Sequence, residues 1–126
     1  MRNLAKNKRP FYVLKYLGQT ELVDKDGYMT GESSITYSTP ILVMGNISGA
    51  KGSAYAEMFG TEIEYDKTIV ISRKKYEEVG LDENSVMFVD KVPTYDTNNM
   101  PLYDYKIKKI ADTLNEVAIA IEKVRR

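Results

Sequence analysis

Short runs rich in aromatic and β-branched residues, separated by glycine, proline and Asp-Gly signals, constrain this chain more than any other feature. Runs of this length and composition are typical of β-strands. They predict strands over residues 11–23, 34–47, 62–72, 85–89 and 103–107. Asp24-Lys25-Asp26-Gly27 predicts a turn, and Pro40 inside the second run indicates an edge position or a bulge.

Two segments carry a helical pattern instead. Residues 53–59 combine helix formers with a serine at the start and a glycine after the end, which predicts a short helix. Residues 73–78 fit one helical turn. The C-terminal residues 110–124 are ambiguous, because their apolar residues recur at helical spacing while residues 117–121 also alternate as in a strand. The local pattern favours a helix there, although Asn115 suits a hairpin turn.

The composition excludes several classes of site. The chain has 126 residues, enough for a single domain over 1–126, and it contains no Cys, His or Trp. Disulfides, thiolate nucleophiles, His-ligated zinc and Ser-His-Asp triads are therefore excluded. We expect no catalytic, cofactor-binding or metal-binding residues. Eighteen basic residues balance eighteen acidic ones, which argues against a dedicated binder of nucleic acids or membrane surfaces.

Three motifs resemble chemical sites without matching them. Residues 45–52 depart from the phosphate-binding loop, because Ala50 separates Gly49 from Lys51 and Gly52 replaces the hydroxyl residue. The turn at Asp24 does not supply the ligands of a calcium loop. The acidic stretch over 77–104 holds seven acids and one lysine, and paired carboxylates there could serve a small hydrolase. A solvated or partner-facing acidic surface explains it better.

Several ordered pieces of the chain resemble a known family. They are Asn46-Ile47-Ser48, Ala50-Lys51-Gly52, Phe59-Gly60, Tyr65-Asp66-Lys67, Asp26-Gly27 with Thr30-Gly31-Glu32, Asp82-Glu83-Asn84-Ser85, and the C-terminal residues 103–124. Together they are similar to small head–tail connector proteins of long-tailed phages and prophages of Gram-positive bacteria, most of all to the head-closure (stopper) protein. The resemblance covers nearly the whole chain.

The resemblance implies a mainly β fold, a small β-barrel or curled antiparallel sheet with long loops and one short helix. It also favours a strand over residues 117–124. It implies a structural virion protein, not an enzyme: a ring subunit that closes the portal channel after DNA packaging and provides the surface on which the tail docks. Its partners would be other copies in the ring, the portal or adaptor protein above, and a tail-completion or tail protein below. Packaged DNA would lie near the lumen without sequence-specific readout.

A channel-closing loop must be long and rich in glycine or polar residues. Residues 24–36 and 93–102 qualify, and we favour the first. Its candidate residues are Asp24, Asp26, Gly27, Tyr28, Gly31 and Glu32.

Charged chain ends and tyrosines predict the assembly interface. A basic, flexible arm is expected over about residues 1–9, and the basic ends could pair with the acidic stretch of another copy. The candidate interface residues are Arg2, Lys6, Lys8, Arg9, Tyr95, Tyr103, Arg125 and Arg126.

Other interpretations remain open. The chain could be the tail-completion protein of the same neck, or a non-viral binding module that recruits a partner through tyrosine-bearing loops. No run of about 18 apolar residues and no secretory signal is present, so we expect no membrane partner. We expect a protein of the bacterial host cytoplasm during assembly and then of the virion neck.

Overall fold

The strands of this protein form where apolar residues alternate along the chain. The computed structural model describes residues 8–49, 59 and 64–125. The strands are β1 (Arg9–Leu14), β2 (Tyr16–Val23), β3 (Met29–Tyr37), β4 (Ile41–Gly49), β5 (Lys67–Ser72), β6 (Val86–Phe88), β7 (Tyr105–Asp112) and β8 (Glu116–Lys123). A helix, α1 (Arg73–Val79), lies between β5 and β6. The protein is mainly β, as predicted.

Six strands close into an antiparallel barrel in the order β1-β4-β5-β8-β7-β6. β1 closes it by pairing with both β4 and β6. Closure leaves no free strand edge in the barrel. β2 and β3 do not join it and form a separate two-stranded sheet, a hairpin between β1 and β4.

Every second residue along the barrel strands points inward. Phe11 and Val13 of β1, Ile69 and Ile71 of β5, and Ile119 of β8 belong to one buried cluster. Helix α1 contributes Val79 to the same cluster, and Leu81 follows it. The helix therefore covers the end of the barrel at which β5 finishes.

Local signals fix the two ends of α1. The Ser72 hydroxyl accepts a hydrogen bond from the Lys75 N–H at 3.1 Å, as an N-cap does. Gly80 ends the helix in the left-handed conformation at φ 71°, where its N–H donates to the Tyr76 carbonyl. The single turn predicted over 73–78 is thus a helix of two turns.

Two smaller clusters cover the outside of the barrel. Phe59 and Tyr65 pack edge to face at 5.3 Å and lie over Val70 and the alanines of β7 and β8. On another side, Tyr12, Tyr37 and Tyr103 lie against buried residues of β1 and β6. Outward-facing positions are therefore buried at two places by aromatic side chains.

The structure corrects several predicted boundaries. The strand predicted over 11–23 is two strands in different sheets, because the chain leaves the barrel at Lys15. The strand over 34–47 is also divided, at Ser38–Pro40, since Pro40 has no N–H to donate to a ladder. The strands predicted over 62–72 and 103–107 are β5 and the longer β7. The predicted helix over 53–59 lies outside the described residues, apart from Phe59.

The ambiguous C-terminal segment is a β-hairpin. β7 and β8 pair from Tyr105↔Lys123 to Asp112↔Val117, which confirms the strand favoured by the resemblance over the local helical pattern. The Thr113 hydroxyl accepts a hydrogen bond from the Glu116 N–H and donates to the Glu116 carbonyl, closing the turn. Asn115 lies in this turn, as its residue type suggested.

Candidate functional site, a hairpin outside the barrel

The β2–β3 hairpin contains the residues predicted to close a channel. Its tip is a tight turn in which Asp24 Oδ1 accepts hydrogen bonds from the N–H groups of Asp26 and Tyr28, both at 2.9 Å. The Gly27 N–H donates to the Asp24 carbonyl, and Gly27 has φ 86°, a conformation that favours glycine. The turn predicted over residues 24–27 is confirmed.

The rest of the predicted loop is not a loop. Met29–Tyr37 is strand β3, so Gly31 and Glu32 belong to a ribbon and only residues 24–28 connect its strands. The alternation of Tyr28, Thr30 and Ile35 was too irregular to predict a strand. Gly31, at φ 82°, lies where the register shifts between Glu21↔Ser33 and Val23↔Met29. This irregularity is a β-bulge, which twists the ribbon and hides the period of two.

The tip of the hairpin presents apolar side chains to solvent. Val23 is 59% exposed, Tyr28 72% and Met29 70%. Val23 and Met29 are cross-strand partners, so they lie side by side. Asp24 and Asp26 lie in the turn between them, and residues 16–37 contain four acids and only one lysine. The hairpin is therefore an acidic ribbon with an apolar tip.

The base of the hairpin is held firmly to the barrel. The Lys15 N–H donates to the Ser38 hydroxyl, and the Ser38 N–H donates to the Lys15 carbonyl, each at 2.9 Å. Tyr37 packs edge to face against Tyr16 at 6.3 Å and against Tyr103 at 6.1 Å. Burial raises the pKa of Tyr37 to about 12, and the adjacent Tyr103 adds to that shift. The hairpin thus has a fixed base and a solvent-exposed tip.

The second candidate loop repeats the geometry of the tip. Asp96 Oδ1 accepts hydrogen bonds from the N–H groups of Asn98 and Met100, and the Asn99 N–H donates to the Asp96 carbonyl. Asn99 has φ 63° and takes the place that Gly27 has at the tip. Tyr95 and Pro101 form a bridge across this loop. A cleft of about 400 Å³ separates it from the hairpin base, where Ile35, Tyr37 and Thr39 line the opposite wall.

The predicted interface residues divide among three places. Tyr103 lies in the aromatic cluster at the hairpin base, whereas Tyr95 is 42% exposed on the second loop. Lys8, Arg9 and Arg125 lie at the end of the barrel opposite α1, where β1 begins and β8 ends. Arg9 already belongs to β1, and residues 1–7 of the predicted arm lie outside the described residues. Arg2, Lys6 and Arg126 lie outside the described residues.

The carboxylates of the acidic stretch have structural roles. Asp104 accepts hydrogen bonds from the N–H groups of Val89 and Asp90, both at 2.8 Å. The Tyr105 hydroxyl donates to Asp90 Oδ2 at 2.9 Å. Burial and this hydrogen bond raise the pKa of the Tyr105 hydroxyl. Two carboxylates are therefore committed to holding the segment between β6 and β7.

In the described part of the chain, no three His, Cys, Asp or Glu side chains gather in a way that could hold a metal ion. Over the same residues, no helix has both the length and the apolar character needed to cross a membrane. Comparison with protein-family models, curated proteins and solved structures finds no match to this chain. The hairpin outside the barrel and the charges around the barrel are therefore the features that bear on function.

Proposed function

We propose that this protein is a ring subunit of a phage neck, which closes the portal channel after DNA packaging and offers a docking surface for the tail. Its partners would be its own copies, the portal or adaptor protein above, and a tail-completion or tail protein below. It would act in the host cytoplasm during assembly and in the virion neck afterwards.

The observation that carries the proposal is the hairpin outside the barrel. β2 and β3 pair only with each other, and their base is fixed by the Lys15–Ser38 hydrogen bonds and the Tyr37 cluster. The closed barrel is complete without them. In a ring, such an element can project from each subunit toward the axis, where several copies together would obstruct a channel.

The charge of the hairpin supports a position near DNA without tight binding to it. Four acids against one lysine within residues 16–37 would repel the phosphate backbone. A channel element that gripped phosphates would slow ejection. An acidic element can obstruct the channel when it is closed and release the DNA when it moves aside.

The other end of the barrel is rich in charged residues and supports an assembly surface. Lys8, Arg9, Lys67, Lys123 and Arg125 lie where β1 and β5 begin and β8 ends, and Asp66, Asp104 and Glu122 lie among them. A surface of mixed charge at this end and an acidic hairpin at the other give a contact between unlike surfaces a defined direction. Ring formation requires such heterologous contacts.

The experiment replaces residues 17–36 with Asn-Gly in an inducible phage that carries the gene. Tyr16 and Tyr37 are directly opposite each other, so a two-residue turn can connect them and keep the base intact. We expect the shortened chain to fold and join the neck while packaged heads lose their DNA. Leu114→Lys, at a position 85% exposed in the β7–β8 turn, is the matched control and should leave heads filled.

Heads that retain their DNA with the shortened chain in place would refute channel closure by the hairpin. Deleting the whole gene separates the alternatives. Emptied heads beside free, complete tails support head closure. Filled heads beside unattached tails indicate a tail-completion protein, and normal virions refute a role in the neck and favour a binding module.

A further inference from the structure

An exposed apolar patch lies on the outside of the barrel. It consists of Pro10, Tyr12, Leu42 and Met44, and is called here the β1/β4 patch. Pro10 pairs with Met44 and Tyr12 with Leu42, so the four side chains are neighbours on one face. Leu42 is 53% and Met44 45% exposed. Apolar residues grouped in this way on a sheet face often mark an interaction surface.

Basic residues border the β1/β4 patch. Lys8 lies two positions before Pro10 and therefore on the same outward side of the chain, whereas Arg9 shares the inward side of Phe11. The Lys91 ammonium lies 5.8 Å from the centre of the Phe88 ring, and Phe88 is the strand partner of Tyr12. The patch is thus apolar in its middle and positively charged at its margin.

The hairpin tip has the complementary composition. Its apolar residues are Val23, Tyr28 and Met29, and Asp24 and Asp26 lie in the turn between them. The apolar residues of the tip remain exposed, and so do Pro10, Leu42 and Met44 of the β1/β4 patch, while Tyr12 is half-buried against the barrel, so the two surfaces do not cover each other within one chain. Both surfaces contain exposed apolar residues, and the charged residues beside them have opposite signs.

We propose that the hairpin tip of one copy docks on the β1/β4 patch of a second copy. The apolar side chains would be buried against each other, while Asp24 and Asp26 approach Lys8 and Lys91. The contact joins two different surfaces, so it repeats from copy to copy in one direction and can close a ring. It deepens the function proposed above, because it would tie each hairpin to the next subunit and make the hairpins move together.

The absence of cysteine allows a direct test by site-specific cross-linking. Lys25→Cys labels the tip, and Met44→Cys labels the patch. The two purified variants, one carrying an affinity tag so that its products differ in mass, are mixed at low salt with a short bis-maleimide. Leu114→Cys replaces Met44→Cys as the matched control, since Leu114 is exposed in the β7–β8 turn, and these strands lie across the barrel from β1 and β4.

We expect the tip-to-patch product to exceed both homodimers and the tip-to-Leu114 product about tenfold. It should fall steeply near 1 M salt, where the screening length is only about 3 Å. Lys8→Glu should weaken the product, and adding Asp26→Lys to the tip variant should restore it. Asp26 can be exchanged safely because the turn uses its backbone N–H and not its carboxylate.

Products in the statistical ratio, equal yield with Leu114→Cys, or no rescue by the charge exchange would each overturn the contact. The test uses purified protein and is independent of any phage. If the contact forms but deletion of the gene leaves virions normal, this inference stands and the proposed role in the phage neck is refuted. Heads that lose their DNA, together with no tip-to-patch product, would support the proposed function and refute this contact.

Discussion

Gly45→Ala tests whether the interior of the barrel is packed as closely as the structure shows. Gly45 lies in β4, opposite Arg9 of β1. A Cβ added there would lie 2.8 Å from Ile71 Cγ2, 3.1 Å from Phe11 Cε1 and 3.1 Å from the Val70 carbonyl oxygen. Ile71 and Phe11 are buried, and Val70 is fixed in the β4–β5 ladder. None of the three can move away without disturbing neighbours.

The expected loss follows from two opposing terms. Overpacking a close-packed core by one methyl group costs about 1–3 kcal/mol. Replacing glycine by alanine in a strand returns about 0.5 kcal/mol, because the unfolded chain loses conformational freedom. Gly49→Ala, in the same strand with nothing within 4 Å of its added Cβ, measures that second term alone. The two variants should therefore differ by about 2 kcal/mol, or roughly 8 °C in Tm for a domain of this size.

Urea unfolding followed by far-ultraviolet circular dichroism gives both free energies of unfolding. Tyrosine fluorescence gives a second probe without interference, since the chain has ten Tyr and no Trp. In a double-mutant cycle, Ile71→Ala removes the methyl group in closest contact, and the combined loss should be about 1 kcal/mol smaller than the sum of the two. A Gly45→Ala protein as stable as Gly49→Ala would show that the barrel is looser than this packing requires.

Three further predictions address other parts of the molecule. Thr68→Val should raise the free energy of unfolding by about 1 kcal/mol, because the fully buried Thr68 hydroxyl has no hydrogen-bond partner among the described residues; a loss in urea unfolding would contradict this. The pKa of Tyr37 is raised from 10.0 to about 12. Between these pH values the folded protein keeps the Tyr37 hydroxyl proton that the unfolded chain has released. The free energy of unfolding should therefore fall as pH rises through this range. Tyr37→Phe should flatten that fall by up to about 1.4 kcal/mol per pH unit, and an unchanged slope would refute the assignment. Asp24→Ala removes the acceptor of two backbone N–H groups and should speed their hydrogen exchange about tenfold without changing the Tm, with Asp96→Ala as the matched change in the second loop; a lowered Tm would mean that the hairpin and barrel unfold as one unit.

Strand type was predictable where apolar residues alternate and one face is buried. β5 and β6 are nearly continuous apolar runs, and each was found close to its predicted place. The breaks at Lys15 and at Ser38–Pro40 were harder to predict, because residues on both sides have strand character. The strand register shows that Phe11 and Val13 face the interior of the barrel, whereas the residues from Tyr16 onward pair with β3. Residue type alone does not distinguish the two strands.

The C-terminal hairpin shows why the local pattern failed. Ile110, Val117 and Ile121 match a helical stripe, yet Ala118 and Ala120 are buried too, on the outer face of the barrel under the Phe59–Tyr65 pair. A strand buried on both faces loses the polar–apolar alternation that would identify it. The covering aromatic residues lie more than fifty positions away in the sequence, where a local pattern carries no information about them.

The turns at Asp24 and Asp96 have the same geometry, but the sequence predicted only the first of them. Asp-x-x-Gly identified the first turn, because glycine favours a positive φ, whereas Asp96-Thr97-Asn98-Asn99 lacks the glycine and gave only a polar loop. Asn99 adopts the same conformation, which asparagine tolerates better than most residues. The geometry shared by the two turns is therefore set by the aspartate that accepts both N–H groups.

The formal net charge of zero does not show how the charges are distributed over the protein. The acids of the hairpin lie at the end of the barrel where β1 finishes, and Lys8, Arg9, Lys123 and Arg125 lie at the opposite end. Exposed charges interact mainly within about 8–10 Å at moderate salt, so each end acts on a partner by its own charge and not by the sum. Asp66 and Glu122 lie among the bases of that end, so its surface is mixed in charge, whereas the hairpin is acidic. Two unlike surfaces on a single small barrel are what directional assembly of identical subunits requires.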